Sequence, residues 1–278
     1  MSGRPQSHLT ASPRRILRRF LEVTGLMGLV YRRAEGRLAR QPTEPFDDGR
    51  PMPPPDLLVA VAGTPDRRWF SEQGRRHAEM FARLAARHGR DPGAGASVLD
   101  FGCGCGRIAR WLAPEVIAGG GAFHGSDLNP RLVAWCAKNL PGRYTRNRLA
   151  PPLPLADGGF DLVYAHSVLT HLREPMAVRW LAEVARVLRP GGVALMTFHD
   201  TDYAETWGTP EVRARLEAEP YVVLNDALQG SNYLSAWTSR DHFAGLARPF
   251  FEVLEIVPGD GEAATQAIAV LRKPALAA

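Results

Sequence analysis

Ten consecutive residues, Val98-Leu99-Asp100-Phe101-Gly102-Cys103-Gly104-Cys105-Gly106-Arg107, constrain this chain more than any other stretch. A short apolar run carries an acid, glycine then recurs at every second position, and Ile108-Ala109-Arg110-Trp111-Leu112 follows. Short apolar runs before glycine turns fit buried parallel strands. Glycine lacks a Cβ, so the loop can turn sharply and lie against a bound molecule. A helix beyond it offers free N–H groups and a positive dipole end to that molecule. The pattern predicts a strand, a tight loop and a helix around a ligand. Dinucleotide sites space their glycines G-x-G-x-x-G, so that a pyrophosphate sits on the helix N-terminus. Here the spacing is G-x-G-x-G, with Asp100 two residues before the first glycine. A buried carboxylate there repels a pyrophosphate and suits a cationic group.

A second acid strengthens the signal. Gly119-Gly120-Gly121 turns the chain into Ala122-Phe123-His124-Gly125-Ser126-Asp127, a predicted strand whose acid lies 21 positions beyond Gly106. A carboxylate at that place can accept hydrogen bonds from both ribose hydroxyls. Asn129 is the better cap for a helix starting at Pro130, which leaves Asp127 for a ligand. Asp100-x-Gly102-x-Gly104-x-Gly106, Asp127 and the turn Leu188-Arg189-Pro190-Gly191-Gly192 resemble the class I S-adenosylmethionine-dependent methyltransferases over about residues 66–273.

That resemblance implies an α/β fold: a Rossmann-like seven-stranded mixed sheet with helices on both faces, the last strand antiparallel between strands five and six. It implies S-adenosyl-L-methionine as cofactor, with its amino-acid end at Asp100, Gly102, Cys103, Gly104 and Gly106. Asp127 would take the ribose, Leu128 would flank the adenine and Asn147 would read its amino group. His166, directly after the fourth strand, would touch the cofactor or line the substrate pocket. Asp47–Pro55 and Trp69–Gly74 resemble an N-terminal extension of some bacterial members that crosses the cofactor like a lid, so Gly74 and Arg75 become candidates near the methionine carboxylate.

The implied reaction is methyl transfer to an O, N or C nucleophile of a small-molecule acceptor, a sugar or secondary metabolite being favoured. His171, at a helix start, and His199, after the fifth strand, are the candidate general bases. His171 reads equally as a structural histidine. Asp200, Asp202 and Tyr203 emerge beside His199 without completing a metal ligand set. A protein that binds the cofactor without catalysis is the alternative; a nicotinamide-dependent oxidoreductase is disfavoured by the glycine spacing.

Along the chain, residues 1–65 read as a basic extension and Pro-rich linker, and residues 66–278 as the methyltransferase domain. An insertion at about 204–238 carries Trp207, Tyr221, Tyr233 and Trp237, expected to wall the acceptor pocket. Leu57–Ala62 is predicted as a short strand. Asp66 to about His88 is predicted as a helix, with Trp69 and Phe70 in the core. Strands are expected at Arg143–Asn147, Phe160–Ala165, Val193–Phe198, Phe251–Val257 and Gln266–Leu271. A helix is expected over Glu174–Leu188, and a second one capped by Ser239. Asp161 enters the fourth strand at the end away from ligands, which suggests a structural role.

The net charge of +5 resides in the first 50 residues, which hold ten Arg against five acids. The other 228 residues hold 24 basic and 24 acidic side chains, so no nucleic-acid partner is expected. The basic residues are Arg except for Lys138 and Lys273, the signature of a GC-rich bacterial genome. Residues 13–40 carry Ile16, Leu17, Phe20, Leu21 and Val23 on one side of a basic helix, suited to peripheral membrane contact. Packing on the main domain or a second subunit is favoured instead, because the apolar face is short and Glu22 interrupts it. Cys103, Cys105 and Cys136 form no paired zinc signature. Without a signal peptide or an apolar span, a cytoplasmic location is expected.

Overall fold

The computed structural model describes residues 27–259 and 266–275. The sheet begins as predicted with β1 (Ser97–Phe101), the glycine loop, α4 (Ala109–Ala118), β2 (Ala122–Asp127), α5 (Pro130–Asn139), β3 (Arg143–Arg146) and β4 (Phe160–Ala165). It continues with α6 (Glu174–Val187), β5 (Leu188–Phe198), α9 (Arg240–Ala247), β8 (Glu252–Val257) and β9 (Ala267–Arg272). Seven strands lie in the order β3-β2-β1-β4-β5-β9-β8, and β9 runs antiparallel to both its neighbours. The order reverses beyond β1, the place where sheets of this kind bind ligands.

The strands alternate their side chains between two cores. Val98, Leu162, Val193 and Leu195 face Phe81, Leu112 and Cys136 on one side of the sheet. Leu99, Val163, Ala194 and Met196 face Trp180, Leu181 and Phe243 on the other. Both faces are covered, and each large buried apolar side chain contributes about 1.5–3 kcal/mol. Asn129 caps α5 through Arg131 N–H, and Ser239 caps α9 through His242 N–H, as the sequence indicates. Asp161 accepts from Ser97 N–H (2.8 Å) and from Arg189 (2.8 and 2.9 Å), tying the sheet together at the end away from the site.

Two local expectations are corrected. Leu57–Ala62 is not a strand but helix α2 (Pro55–Ala62). Pro55 opens it, left-handed Gly63 closes it, and a continuous apolar run does not distinguish strand from helix. Leu57 and Leu58 bury against Phe70, Cys105 and Leu132. Second, Leu188-Arg189-Pro190-Gly191-Gly192 stops the helix but is itself the start of β5. The β4–β5 register shifts between the pairs Phe160–Leu188 and Leu162–Val193, while Gly191 and Gly192 each bond the Lys273 backbone at 2.9 Å. The insertion carries α7 (Thr201–Trp207), α8 (Pro210–Leu216) and an antiparallel pair, β6 (Tyr221–Leu224) and β7 (Ser235–Thr238).

Of the N-terminal extension, α1 (Met27–Leu38) is described; the apolar residues Ile16 to Val23 lie outside the described residues. Tyr31 of α1 stacks on Tyr233 of the insertion at 3.7 Å. The Pro-rich segment is extended and anchored: Asp48 receives the Arg110 guanidinium through two bonds of 2.7 and 2.6 Å. Helix α3 (Arg67–Arg87) then packs across α4. No helix among the described residues is long and apolar enough to cross a membrane.

Candidate active site

The glycine loop leaves β1 with Gly102, Gly104 and Gly106 all at positive φ, +79°, +55° and +78°. A Cβ on Gly102 would meet Val168 Cγ2 at 2.2 Å, so glycine is required there twice over, by conformation and by space. The loop is pinned to β2: Gly102 and Cys103 N–H donate to Ser126 C=O, and Gly104 N–H donates to Asp127 Oδ2 at 3.0 Å. Asn129 N–H holds the other oxygen, Oδ1, at 2.8 Å. Burial raises the Asp127 pKa, and these N–H donors oppose the rise.

One cavity of about 1280 Å³ opens over this loop. Asp100, Gly102, Cys103, Gly104, Asp127 and Leu128 line it, as do Asn147, His166 and His171. Asn147 spends its amide on Ser126 Oγ (2.9 Å) and the Arg148 carbonyl (2.7 Å). Three predicted site residues stand outside the cavity. Gly106 faces α5, where a Cβ would meet Leu140 Cδ1 at 2.3 Å, so its role is packing. Gly74 lets α3 approach the loop, a Cβ there falling 2.2 Å from the Arg107 carbonyl oxygen. His199 is buried between stacked Tyr203 and Gln266, whose Nε2 lies 3.3 Å from its own. Burial lowers the His199 pKa to about 3, with the His171 charge adding to the effect. It is therefore withdrawn as a general base. Arg75 likewise points away, pairing with Glu79 on the surface at 3.9 Å. Asp200 and Asp202 are spent on Arg240.

His171 has the opposite character. Its Nδ1 lies 2.6 Å from the Leu234 carbonyl, which only accepts, so Nδ1 carries the proton. The lone pair is then on Nε2, and His171 is among the residues that line the cavity. Burial lowers its pKa and the Leu234 bond opposes that, so the ring is neutral at pH 7. Beside it Ser167, at φ +62°, is locked by a directed ring of bonds. Ser167 N–H donates to Thr197 Oγ1, which donates to Gln266 Oε1 (2.7 and 2.6 Å). Gln266 Nε2 donates back to Ser167 Oγ at 2.9 Å.

The buried charges are unusual. Asp100 is 2 % exposed and its Oδ2 has no hydrogen-bond donor. Burial pushes its pKa up to about 7; Asp127 adds to the rise, while the nearby Tyr164 hydroxyl and Arg107 oppose it. An orphaned carboxylate at the mouth of a glycine cradle fits the cationic amino-acid end of S-adenosylmethionine. Arg107, which sequence reasoning misses, lines the same cavity together with His77, Gln73 and Trp69. One signal does mark it: no acid stands three or four positions away on either side. Trp69, expected in the core, is 39 % exposed at the cavity, whereas Phe70 is buried. Of the insertion aromatics Trp207 and Tyr233 line the cavity; Trp237 packs with Ala204, Val212 and Val222, and Tyr221 bonds the Leu172 carbonyl. Among the described residues no group of three His, Cys, Asp or Glu could hold a metal ion.

Sheet order, glycine cradle and second-strand acid together define a Rossmann-like domain that binds a nucleoside cofactor. Residues 98–192 match the family model described as a methyltransferase domain. A phthiotriol/phenolphthiotriol dimycocerosates methyltransferase of Mycobacterium ulcerans is 35 % identical over 147 residues, 52 % of this chain and 49 % of that protein. Methyltransferase GfsG of Streptomyces halstedii is 33 % identical over 130 residues, 44 % and 43 % of the two chains. The matches thus span about half the length of these curated relatives. Among solved structures, 1,6-didemethyltoxoflavin-N1-methyltransferase of Burkholderia thailandensis superposes with a TM-score of 0.53 at 19 % identity, covering 83 % of this chain and 98 % of that one. An S-adenosylmethionine-dependent methyltransferase of Mesorhizobium loti gives 0.53 at 18 %, covering 70 % and 100 %. Residues 98–192 thus resemble a methyltransferase domain, carried on a sheet of the Rossmann-like fold that the two solved methyltransferases share.

Proposed function

We propose that this protein transfers a methyl group from S-adenosylmethionine to an O, N or C nucleophile of a small-molecule acceptor, a sugar or secondary metabolite, with His171 as general base. One observation carries the reading: a single cavity is lined by the cofactor cradle and by His171, whose Nδ1 is held by the Leu234 carbonyl. At about 1280 Å³ it exceeds the roughly 300–1,000 Å³ of a one-ligand pocket, leaving room for an acceptor beside a cofactor. Its roof supports a small acceptor. Tyr233 Oη donates to Glu35 Oε1 at 2.5 Å and Asn232 Nδ2 to the Ala60 carbonyl at 2.6 Å, so α1, α2 and the insertion close over it. The Mycobacterium ulcerans relative is named for phthiotriol and phenolphthiotriol dimycocerosates.

Bound S-adenosylmethionine would supply an electrophilic methyl carbon on a sulfonium. The chain's own residues then have three tasks. Asp100 and the glycine loop hold the amino-acid end, and Asp127 orients the ribose beside Leu128. The walls exclude water and align the nucleophile, the main contribution asked of the protein. His171 Nε2 takes the proton that an alcohol or amine must lose, and its Leu234 bond keeps the ring turned for that task.

The test starts with calorimetric titration of S-adenosylmethionine, S-adenosylhomocysteine and NADH. The first two are expected to bind, and Asp127→Ala to weaken them about ten- to a hundredfold. Binding of NADH alone would overturn the reading. Turnover is then followed as S-adenosylhomocysteine released with a panel of hydroxylated and aminated small molecules. His171→Gln is expected to lower kcat about 10²–10⁴-fold with cofactor affinity kept; unchanged kcat at saturating acceptor removes His171 from the role. Cofactor binding with no release against any acceptor favours the non-catalytic alternative.

A further inference from the structure

We propose that the β6–β7 hairpin of the insertion is the positioning element for His171, and that Tyr221 and Gln229 are the side chains through which it acts. The inference rests on the reading of His171 as general base. The hold on its ring can be measured without turnover, so the two fail separately.

His171 closes a short 3₁₀ turn, Leu169–His171, and α6 starts just beyond it at Glu174. Backbone groups at such a junction must find partners outside both helices. Within the turn, His171 N–H donates to the Val168 carbonyl (3.1 Å) and Leu172 N–H to the Leu169 carbonyl (3.3 Å). Neither the turn nor α6 supplies a partner for the His171 carbonyl, the Leu172 carbonyl or Arg173 N–H. All three are met from the hairpin. Gly230 N–H donates to the His171 carbonyl at 3.5 Å and Tyr221 Oη to the Leu172 carbonyl at 2.9 Å. Arg173 N–H donates to Gln229 Oε1 at 3.2 Å. The imidazole is the fourth group, through the bond of Nδ1 to the Leu234 carbonyl. Arg173 and Asp226 add an ion pair that is half exposed on both sides and so contributes little.

The placement of these bonds explains why the two side chains matter to the ring. Leu234 stands at the junction of ladder and loop, next to the Leu224–Ser235 pair, so its carbonyl moves with the hairpin. Tyr221 pins the open end of the ladder, opposite Thr238, and Gln229 pins the loop. Burial raises the Tyr221 pKa, so its hydroxyl stays protonated and donating. The start of the turn needs no such help, because Thr170 Oγ1 donates to the Ser167 carbonyl at 2.9 Å and Ser167 is tied to β5 through Thr197. Loss of the hairpin bonds therefore frees His171 to Arg173 and leaves the segment before them in place. Gln229, Gly230, Ser231, Asn232 and Tyr233 also line the cavity. The loop that an acceptor meets is thus the loop that holds the base.

The test reads the His171 ring proton by imidazole NMR on the full chain, with its exchange against solvent followed in wild type, Tyr221→Phe, Gln229→Ala and the double variant. Wild type is expected to carry the proton on Nδ1 in slow exchange. Each single substitution should speed that exchange about two- to tenfold, and the double variant by about the product. Gln229→Glu keeps an oxygen for Arg173 N–H and is expected to restore the wild-type rate. Amides of β1, β4 and β5 should keep their protection throughout. If they lose protection in step with the ring proton, Tyr221 and Gln229 are merely structural and the proposal is overturned. Unchanged exchange in the double variant overturns it too, as does a wild-type ring with its proton on Nε2. The base reading is judged apart by turnover of His171→Gln, whose unchanged kcat would remove the base without altering the measured hold.

Discussion

Two arginine–aspartate couples stand within one turn of each other at the start of α4, and they are built in opposite ways. Arg110, with a fully buried side chain, meets Asp48 through two bonds and spends its remaining donors on the carbonyls of Arg50 and Pro51. Ser71 also donates to Asp48. Arg107 and Asp100 face one cavity and are held apart, one by His77 and His166 and the other by its strand. The closed couple straps the Pro-rich segment onto the domain. The open couple forms no ion pair among the described residues. A buried charge satisfied by the protein serves structure; one left without a counter-charge marks a candidate site.

Substitution of the arginines should split the couples most sharply. Arg110→Met strands Asp48 and is expected to cost about 3–5 kcal/mol by denaturant unfolding, with little change in S-adenosylhomocysteine affinity. Arg107→Met removes an unpaired cation, so the unfolding free energy should stay within about 1 kcal/mol while affinity falls. Equal stability losses would erase the distinction. The strap also has a pH signature. Asp48 is held below its ordinary 3.8: burial alone would raise it, but the Arg110 and Ser71 bonds outweigh that. Its contribution is present above pH 3.8 and is lost as pH falls through the lowered value.

Gly74→Ala tests whether α3 is what keeps the second couple open. The added Cβ would lie 2.2 Å from the Arg107 carbonyl oxygen, so the helix must move and take His77 with it. A cost of about 1–3 kcal/mol is expected, together with a smaller loss of affinity than Arg107→Met shows. Unchanged affinity would mean that His77 does not matter to the hold on Arg107.

The smallest effect is titration of the open couple itself. Burial pushes the Asp100 pKa up to about 7 even with Arg107 opposing the rise. A bound ammonium keeps it ionised, so binding below pH 7 must expel a proton. S-adenosylhomocysteine should bind about tenfold more weakly at pH 6 than at pH 8, with 5′-methylthioadenosine, which lacks the amino-acid end, and Asp100→Asn showing no such slope. Most groups around Asp100 are moved away from that window: Tyr164, Tyr144 and Cys103 are raised and His77 and His166 are lowered. Asp127 is the exception, raised by burial with its N–H donors opposing the rise. Calorimetry in buffers of different ionisation enthalpy counts the proton directly.

Much of the cofactor half is legible in the amino-acid sequence alone. Glycine at 102 and 104, Asp127 at the end of β2 and Asn129 as the cap are statements about neighbours along the chain, and their places follow from turn and cap chemistry. The acceptor half resists the same reading. His199 and His171 both follow strand ends and look alike as letters, yet one is sealed beneath Gln266 and Tyr203 while the other faces the cavity. Gly74 and Gly106 look like ligand contacts because glycines cluster at such sites; both serve helix packing instead.

The α/β order, the backbone cradle and the resemblance to methyltransferases are legible in the residues alone, because these depend on contacts a few residues apart and on the periodicity of apolar side chains. Which nitrogen of His171 carries the proton is set by the packed fold, since the carbonyl that accepts from it lies 63 residues away. The packed fold also sets the state of Arg107, whose two imidazole partners stand 30 and 59 residues distant. A hydrogen bond has direction, and its partner is set by packing rather than by position in the chain. Donor and acceptor roles in this site therefore exist only once the fold is closed.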